Sequence, residues 1–97
     1  MKLNRKINEL KEEIIESTQE IMRIKSVGEE EKEDMPFGEG VSKALECALK
    51  ISRRLGFNTK NLDGYVGYAE YGEGEDYIGI LGHLDIVPEG DGWKYPP

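Results

Sequence analysis

The feature that most narrows what this sequence can fold into is a short apolar run, Ile78-Gly79-Ile80-Leu81-Gly82, leading straight into its one histidine, His83. Neither face of a strand built from that run suits water. A short apolar run bounded by glycines reads as a strand buried on both sides. Such a strand is central, with neighbours beside it and layers above and below. The run continues as Gly82-His83-Leu84-Asp85-Ile86-Val87-Pro88, and after Pro88 comes a polar, glycine-rich loop. Residues i and i+2 of a strand share a face, so a strand that persists through Asp85 sets His83 and Asp85 side by side. A charged pair at the carboxyl end of a strand lies where open α/β sheets place their ligands. A carboxylate that accepts the proton of one imidazole nitrogen leaves the other as a fixed lone pair for a metal. On these residues alone other readings stay open. His83 can be a satisfied structural histidine, Asp85 a turn-capping carboxylate, and Glu89 and Asp91 solubilising loop acids.

The chain before this run supplies the layers. Residues from about Asn4 to Ile24 read as one amphipathic helix, with Leu3, Ile7, Leu10, Ile14 and Ile21 at helical spacing and Lys and Glu opposite. Ser26 to Gly40 contains Glu29-Glu30-Glu31-Lys32-Glu33-Asp34 and reads as a mobile acidic surface loop, because like charges in sequence repel and stay hydrated. A second helix is expected over about Val41 to Leu55. Gly56 is its left-handed stop and Phe57 packs back across it. Cys47 inside it reads as a half-buried, unreactive thiol. Three short strands follow: Phe57 to Leu62, Tyr65 to Tyr71 and Tyr77 to Gly82. Asp63-Gly64 marks a hairpin between the first two, and Gly72-Glu73-Gly74-Glu75 turns into the third. Tyr65, Tyr68, Tyr71 and Tyr77 read as sheet-packing residues.

Charge and composition exclude some partners. The net charge is -7, with twenty acidic residues against thirteen basic ones not gathered into a stripe. Phosphate binding needs a basic footprint, so a nucleic acid is not the expected partner, nor is an anionic membrane. No apolar run approaches the length of a spanning helix. Met1-Lys2-Leu3-Asn4-Arg5-Lys6 has no apolar segment behind it and is not read as a secretory signal. A single cysteine builds no internal disulfide, which fits a cytoplasmic location.

The motif itself is recognisable. Gly82-His83-Leu84-Asp85-Ile86-Val87-Pro88, continued by Gly90-Asp91-Gly92-Trp93 and Pro96-Pro97, resembles the first metal motif of the co-catalytic zinc exopeptidases. These include peptidase V-type dipeptidases, succinyl-diaminopimelate desuccinylase, acetylornithine deacetylase, aminoacylases and carboxypeptidase G. The peptidase V-type dipeptidases resemble it most, through Phe37-Gly38-Glu39-Gly40, the helix that follows, and Glu70-Tyr71-Gly72-Glu73-Gly74. The resemblance covers the chain from about Met35 onward and, more loosely, the first helix.

The resemblance implies that His83 is a ligand of one of two zinc ions and that Asp85 is the catalytic motif's partner, orienting the histidine and raising its basicity. It implies a bridging water that becomes hydroxide and attacks a scissile amide, with a glutamate moving the proton. The bridging aspartate, that glutamate and the other ligands lie outside these 97 residues in such proteins. The expected fold class is therefore α/β: two helices followed by a short mixed sheet, the first part of a three-layer α/β/α catalytic domain. Residues 1–97 are expected to be its incomplete N-terminal part. The implied substrate is a dipeptide or small peptide. An acylated amino acid, cleaved by a desuccinylase-like deacylase, is the alternative, and a non-enzymatic, self-associating fragment is another. Trp93 is expected to form a lid or a wall of the cleft.

Overall fold

A computed structural model describes residues 2–97. The regular elements are helices α1 (Lys2–Glu9), α2 (Lys11–Met22) and α3 (Glu39–Arg54), then strands β1 (Asn58–Leu62) and β2 (Val66–Glu70). The α/β class stands. The detail differs from the sequence reading in three places, each for a physical reason.

The first difference is the N-terminal helix, which is two helices with Leu10 between them. Leu10 adopts φ −92 and ψ 0, in the bridge region between helix and strand. Its N–H still donates to the Lys6 and Ile7 carbonyls at 3.2 and 3.1 Å, so the ladder bends more than it breaks. The expected apolar spacing is present, but Leu3, Ile7, Ile14 and Ile15 all remain exposed. Neither helix buries a residue, so no packing holds one axis straight through Leu10. Arg54 Nη2 donates to both carboxylate oxygens of Glu20, at 3.0 and 3.1 Å, and so joins α2 to α3.

Helix α3 is the organising element. Ala44, Leu45, Leu49 and Ile51 are its buried apolar residues, and they are the core. Its end matches the sequence reading. Gly56 has φ 95, its N–H donates to the Arg53 carbonyl at 3.0 Å, and the Phe57 N–H donates to the Ser52 carbonyl at 3.0 Å. Those two bonds are the pair that closes a helix on a left-handed glycine. Phe57 then stacks at a tilt on Tyr71, with ring centroids 5.4 Å apart.

The hairpin β1–β2 is antiparallel, with Leu62 opposite Val66 and Asn58 opposite Glu70. Asp63 and Gly64 both take positive φ, 56 and 78, as tight hairpin turns require. The Gly64 N–H donates to Asn61 Oδ1 at 2.8 Å. The hairpin lies on α3 at Gly67. A Cβ there would stand 2.9 Å from Leu45 Cδ1 and 3.0 Å from Leu49 Cδ2. Glycine is what lets the strand approach the helix so closely.

The second difference is the third strand. Residues Tyr77 to Gly82 form no strand, and Tyr77, Ile78, Ile80 and Leu81 are 90 to 100% exposed. The sheet is therefore an antiparallel pair and not mixed. A strand apolar on both faces gains from pairing only when both faces are covered. The one buried helix face in residues 2–97 is already occupied by the hairpin. Tyr77 accordingly packs on nothing, whereas Tyr65 meets Phe37 edge to face at 5.5 Å. The parallel pairing that does form is a single bridge between Val27 and Ile86.

The third difference is the acidic loop, which is ordered by its own backbone. Lys32 and Met35 exchange both hydrogen bonds, at 3.0 and 2.9 Å, and the Glu29 N–H donates to the Phe37 carbonyl at 2.9 Å. The glutamates stay exposed while the backbone beneath them closes into a turn.

Candidate functional site

Backbone placement comes first. Where the chain leaves α2, Ser26 is buried, 3% exposed. Its carbonyl accepts the Ile86 N–H at 3.0 Å. That bond brings the His83–Asp85 segment against the start of the acidic loop. Leu84 between them is half-buried.

His83 and Asp85 are brought together, although by a local fold and not by a shared strand face. His83 Nδ1 stands 3.1 Å from Asp85 Oδ1 and 3.0 Å from the Asp85 carbonyl oxygen. Both of these oxygens are acceptors, so in the neutral imidazole Nδ1 carries the hydrogen and Nε2 keeps its lone pair. Both side chains are largely exposed, at 82 and 63%. In water such a pair adds little stability; its consequence is orientation of the ring.

The pair opens on an apolar cleft of about 390 Å³ whose lining includes Phe37, Val41, Leu45 and Tyr65 besides His83 and Asp85. Sequence reasoning assigned Tyr65 to sheet packing and gave Phe37 no site role. The signal that brings them to the cleft is the Phe37-Gly38-Glu39-Gly40 stretch, in which Gly38, at φ 94, starts α3 and sets Phe37 over Tyr65. On the first turn of that helix the Glu39 carboxyl is held below its usual range by a hydrogen bond from Lys43 and the charges of Lys43 and Lys32.

The loop after the pair folds on itself. Trp93 Nε1 donates to the Glu89 carbonyl at 2.9 Å, across Gly90 and Gly92, both at positive φ. Trp93 is 57% exposed, and Glu89 and Asp91 are exposed loop acids. Among the described residues no three His, Cys, Asp or Glu side chains stand close enough to hold a metal ion. A catalytic zinc site usually takes three protein ligands. The residues present therefore do not make a zinc site; they offer one oriented imidazole nitrogen.

Comparison with known proteins narrows the family. No protein-family model matches the chain. It is 51% identical over 89 residues to a Bacillus subtilis (strain 168) protein named "Putative dipeptidase YtjP", an alignment covering 90% of this chain and 19% of that protein. It is 40% identical over 94 residues to a Staphylococcus aureus (strain USA300) protein also named "Putative dipeptidase", covering 95% of this chain and 20% of that one. The chain thus spans about a fifth of the length of these relatives. Their names support a peptidase family. Among the described residues no helix is long and apolar enough to cross a membrane.

Proposed function

We propose that this chain is the N-terminal part of a zinc-dependent dipeptidase catalytic domain, and that His83 supplies one metal ligand from it. The observation that carries the reading is the engagement of His83 Nδ1 by Asp85 at 3.1 Å. It assigns the hydrogen to Nδ1 and turns the Nε2 lone pair into the available donor. In this reading Asp85 is the histidine's partner in the catalytic motif: it fixes the tautomer and the orientation of the ring. The other ligands, and the group that moves the proton, come from the rest of the protein. The relatives' names support a dipeptide as the substrate class. The site lies in the cytoplasm, a placement supported by the lone Cys47.

The test is hydrolysis of dipeptides by the whole protein that carries this segment, before and after chelation, beside N-succinyl and other N-acyl amino acids. Chelator-sensitive turnover of dipeptides supports the reading. Turnover of the acylated amino acids alone transfers the protein to the deacylases. Dipeptide turnover untouched by exhaustive chelation removes zinc from the account.

A second reading applies to the chain by itself and is favoured by the exposed run Tyr77–Leu81. Uncovered apolar surface with unpaired backbone invites pairing with another chain. Self-association without activity is then its measurable property, visible by light scattering as a mass above the monomer. A clean monomer at high concentration removes this reading.

A further inference from the structure

Residues 71–97 contain no helix and no strand of more than a bridge, and most are exposed. Among the described residues, backbone pairing ties this segment to the rest of the chain at one place, the Val27–Ile86 parallel bridge, in which the Ile86 N–H donates to the Ser26 carbonyl at 3.0 Å. Ile86 directly follows Asp85, whose carbonyl and carboxylate oxygens hold His83 Nδ1. The tether therefore acts one residue from the pair.

What sets the position of Ser26 is the start of α3. Gly40 lies in the helix's first turn, and a Cβ at Gly40 would overlap the Lys25 carbonyl oxygen, with the Lys25 carbonyl carbon at 3.2 Å and Ser26 Cα at 3.6 Å. These are backbone atoms and cannot swing aside as a side chain can. Gly40 has no positive φ among the glycines that do, so its chain conformation does not demand glycine. The space does. On helix propensity alone alanine is preferred to glycine. The residue costs helix stability and in return lets the α2 exit pack against the first turn of α3.

We propose that Gly40 is a positioning residue for the His83–Asp85 pair, acting through the Lys25–Ser26 backbone and the Ser26–Ile86 hydrogen bond. Its functional meaning rests on the metal-ligand reading of His83. The relay itself does not, because it concerns backbone placement and the ring's tautomer in the metal-free chain. A displaced Lys25 carbonyl moves Ser26, the Ile86 N–H loses its acceptor, and the segment from Leu81 to Pro88 is released. Asp85 then no longer faces Nδ1 in one geometry.

The experiment uses nuclear magnetic resonance on the 97-residue chain. Two quantities are read: hydrogen-exchange protection of the Ile86 amide, and the ring nitrogen shifts of His83 with the imidazole neutral. In the unmodified chain the Ile86 amide is expected to exchange more slowly than those of Asp85 and Val87. The ring shifts are expected to report the Nδ1–H tautomer. Gly40→Ala is expected to remove the Ile86 protection and move the ring shifts toward those of an unrestrained histidine, while amides of β1 and β2 keep their shifts. Ile86→Pro deletes the donor without touching α3 and is expected to have the same effect on His83, whereas Ile86→Ala keeps the N–H and the tautomer. An unprotected Ile86 amide in the unmodified chain overturns the proposal outright, whether or not either variant folds. So does a His83 ring unchanged in Gly40→Ala or Ile86→Pro with the hairpin intact. Neither result bears on whether the whole protein is a zinc dipeptidase.

Discussion

Replacing Gly67 by valine sets two opposed effects against each other at the centre of the fold. Valine is a strong strand former and glycine a poor one; on strand preference alone the change is favourable by up to about 1 kcal/mol. The packing opposes it. The first added carbon would stand 2.9 Å from Leu45 Cδ1 and 3.0 and 3.1 Å from the two Leu49 methyls, and valine brings two further carbons. Leucine methyls can move, but these leucines are 9 and 5% exposed and make up half of the four buried apolar residues. They yield only by lifting the hairpin from α3. Overpacking of this kind costs about 1–3 kcal/mol, and three carbons against a small core belong at the upper end. The expected net loss is about 1–2 kcal/mol. In a domain of this size each 1 kcal/mol moves the melting temperature by about 4–8 °C, so Gly67→Val should melt roughly 5–15 °C lower. Circular dichroism melts and urea titrations of the chain measure it. Ala69→Val is the control, two residues along the same strand at an exposed position, and should be neutral or slightly stabilising. A Gly67→Val chain that melts at or above the unmodified temperature would refute the close approach of β2 to α3.

Three further outcomes are expected. In the whole protein Asp85→Asn keeps the histidine but weakens the acceptor on Nδ1, and losses of such supporting contacts cost about 10–100-fold in metal affinity or activity; metal titration and rate assays check it. Glu39 has its folded pKa depressed by Lys43 and Lys32. Its contribution is therefore present above the unfolded carboxyl pKa and is lost as pH falls through the folded value. Glu39→Gln should lower the neutral plateau slightly and leave stability at low pH, where the carboxyl is protonated in both states, nearly unchanged; the acid limb then flattens, as urea midpoints across that range would show. The chain by itself should retain well below one zinc per molecule after dialysis against a mild chelator, since no three ligating side chains cluster among the described residues; elemental analysis finding stoichiometric zinc contradicts this.

Local rules carried the sequence reading where local chemistry decides the structure. Gly56 ends α3 because a left-handed residue is needed there, and Asp63-Gly64 makes the hairpin because both turn positions need positive φ. The apolar spacing of Val41, Ala44, Leu45, Ala48, Leu49, Ile51 and Leu55 marked the core helix, although only Ala44, Leu45, Leu49 and Ile51 are buried and Leu55 is exposed. Local rules failed where the outcome depends on what else is present. Ile78, Ile80 and Leu81 carry a central-strand pattern, but a pattern specifies a preference, and pairing requires neighbours that residues 2–97 do not provide. Leu10 fits the apolar stripe, yet an unburied stripe does not keep a helix straight. Glu29 to Asp34 repel as side chains without preventing their backbone from closing at Lys32 and Met35. At the site, the nearness of His83 and Asp85 was legible from their spacing. The tether from Ser26 was not, because nothing in Ser26-Val27 marks it as a partner for Ile86. Gly40 was legible only as one of several loop glycines until the Lys25 carbonyl was seen against it.

The proposed role of His83 is to donate Nε2 to a metal. It is tested most directly by zinc content and dipeptide hydrolysis of the whole protein with His83→Ala, measured beside a thermal melt of the metal-free forms. Zinc content and turnover are expected to fall further than in Asp85→Asn, with the metal-free melting temperature little changed, because His83 is exposed and outside the packed core. Near-normal zinc content and turnover in His83→Ala would contradict that role.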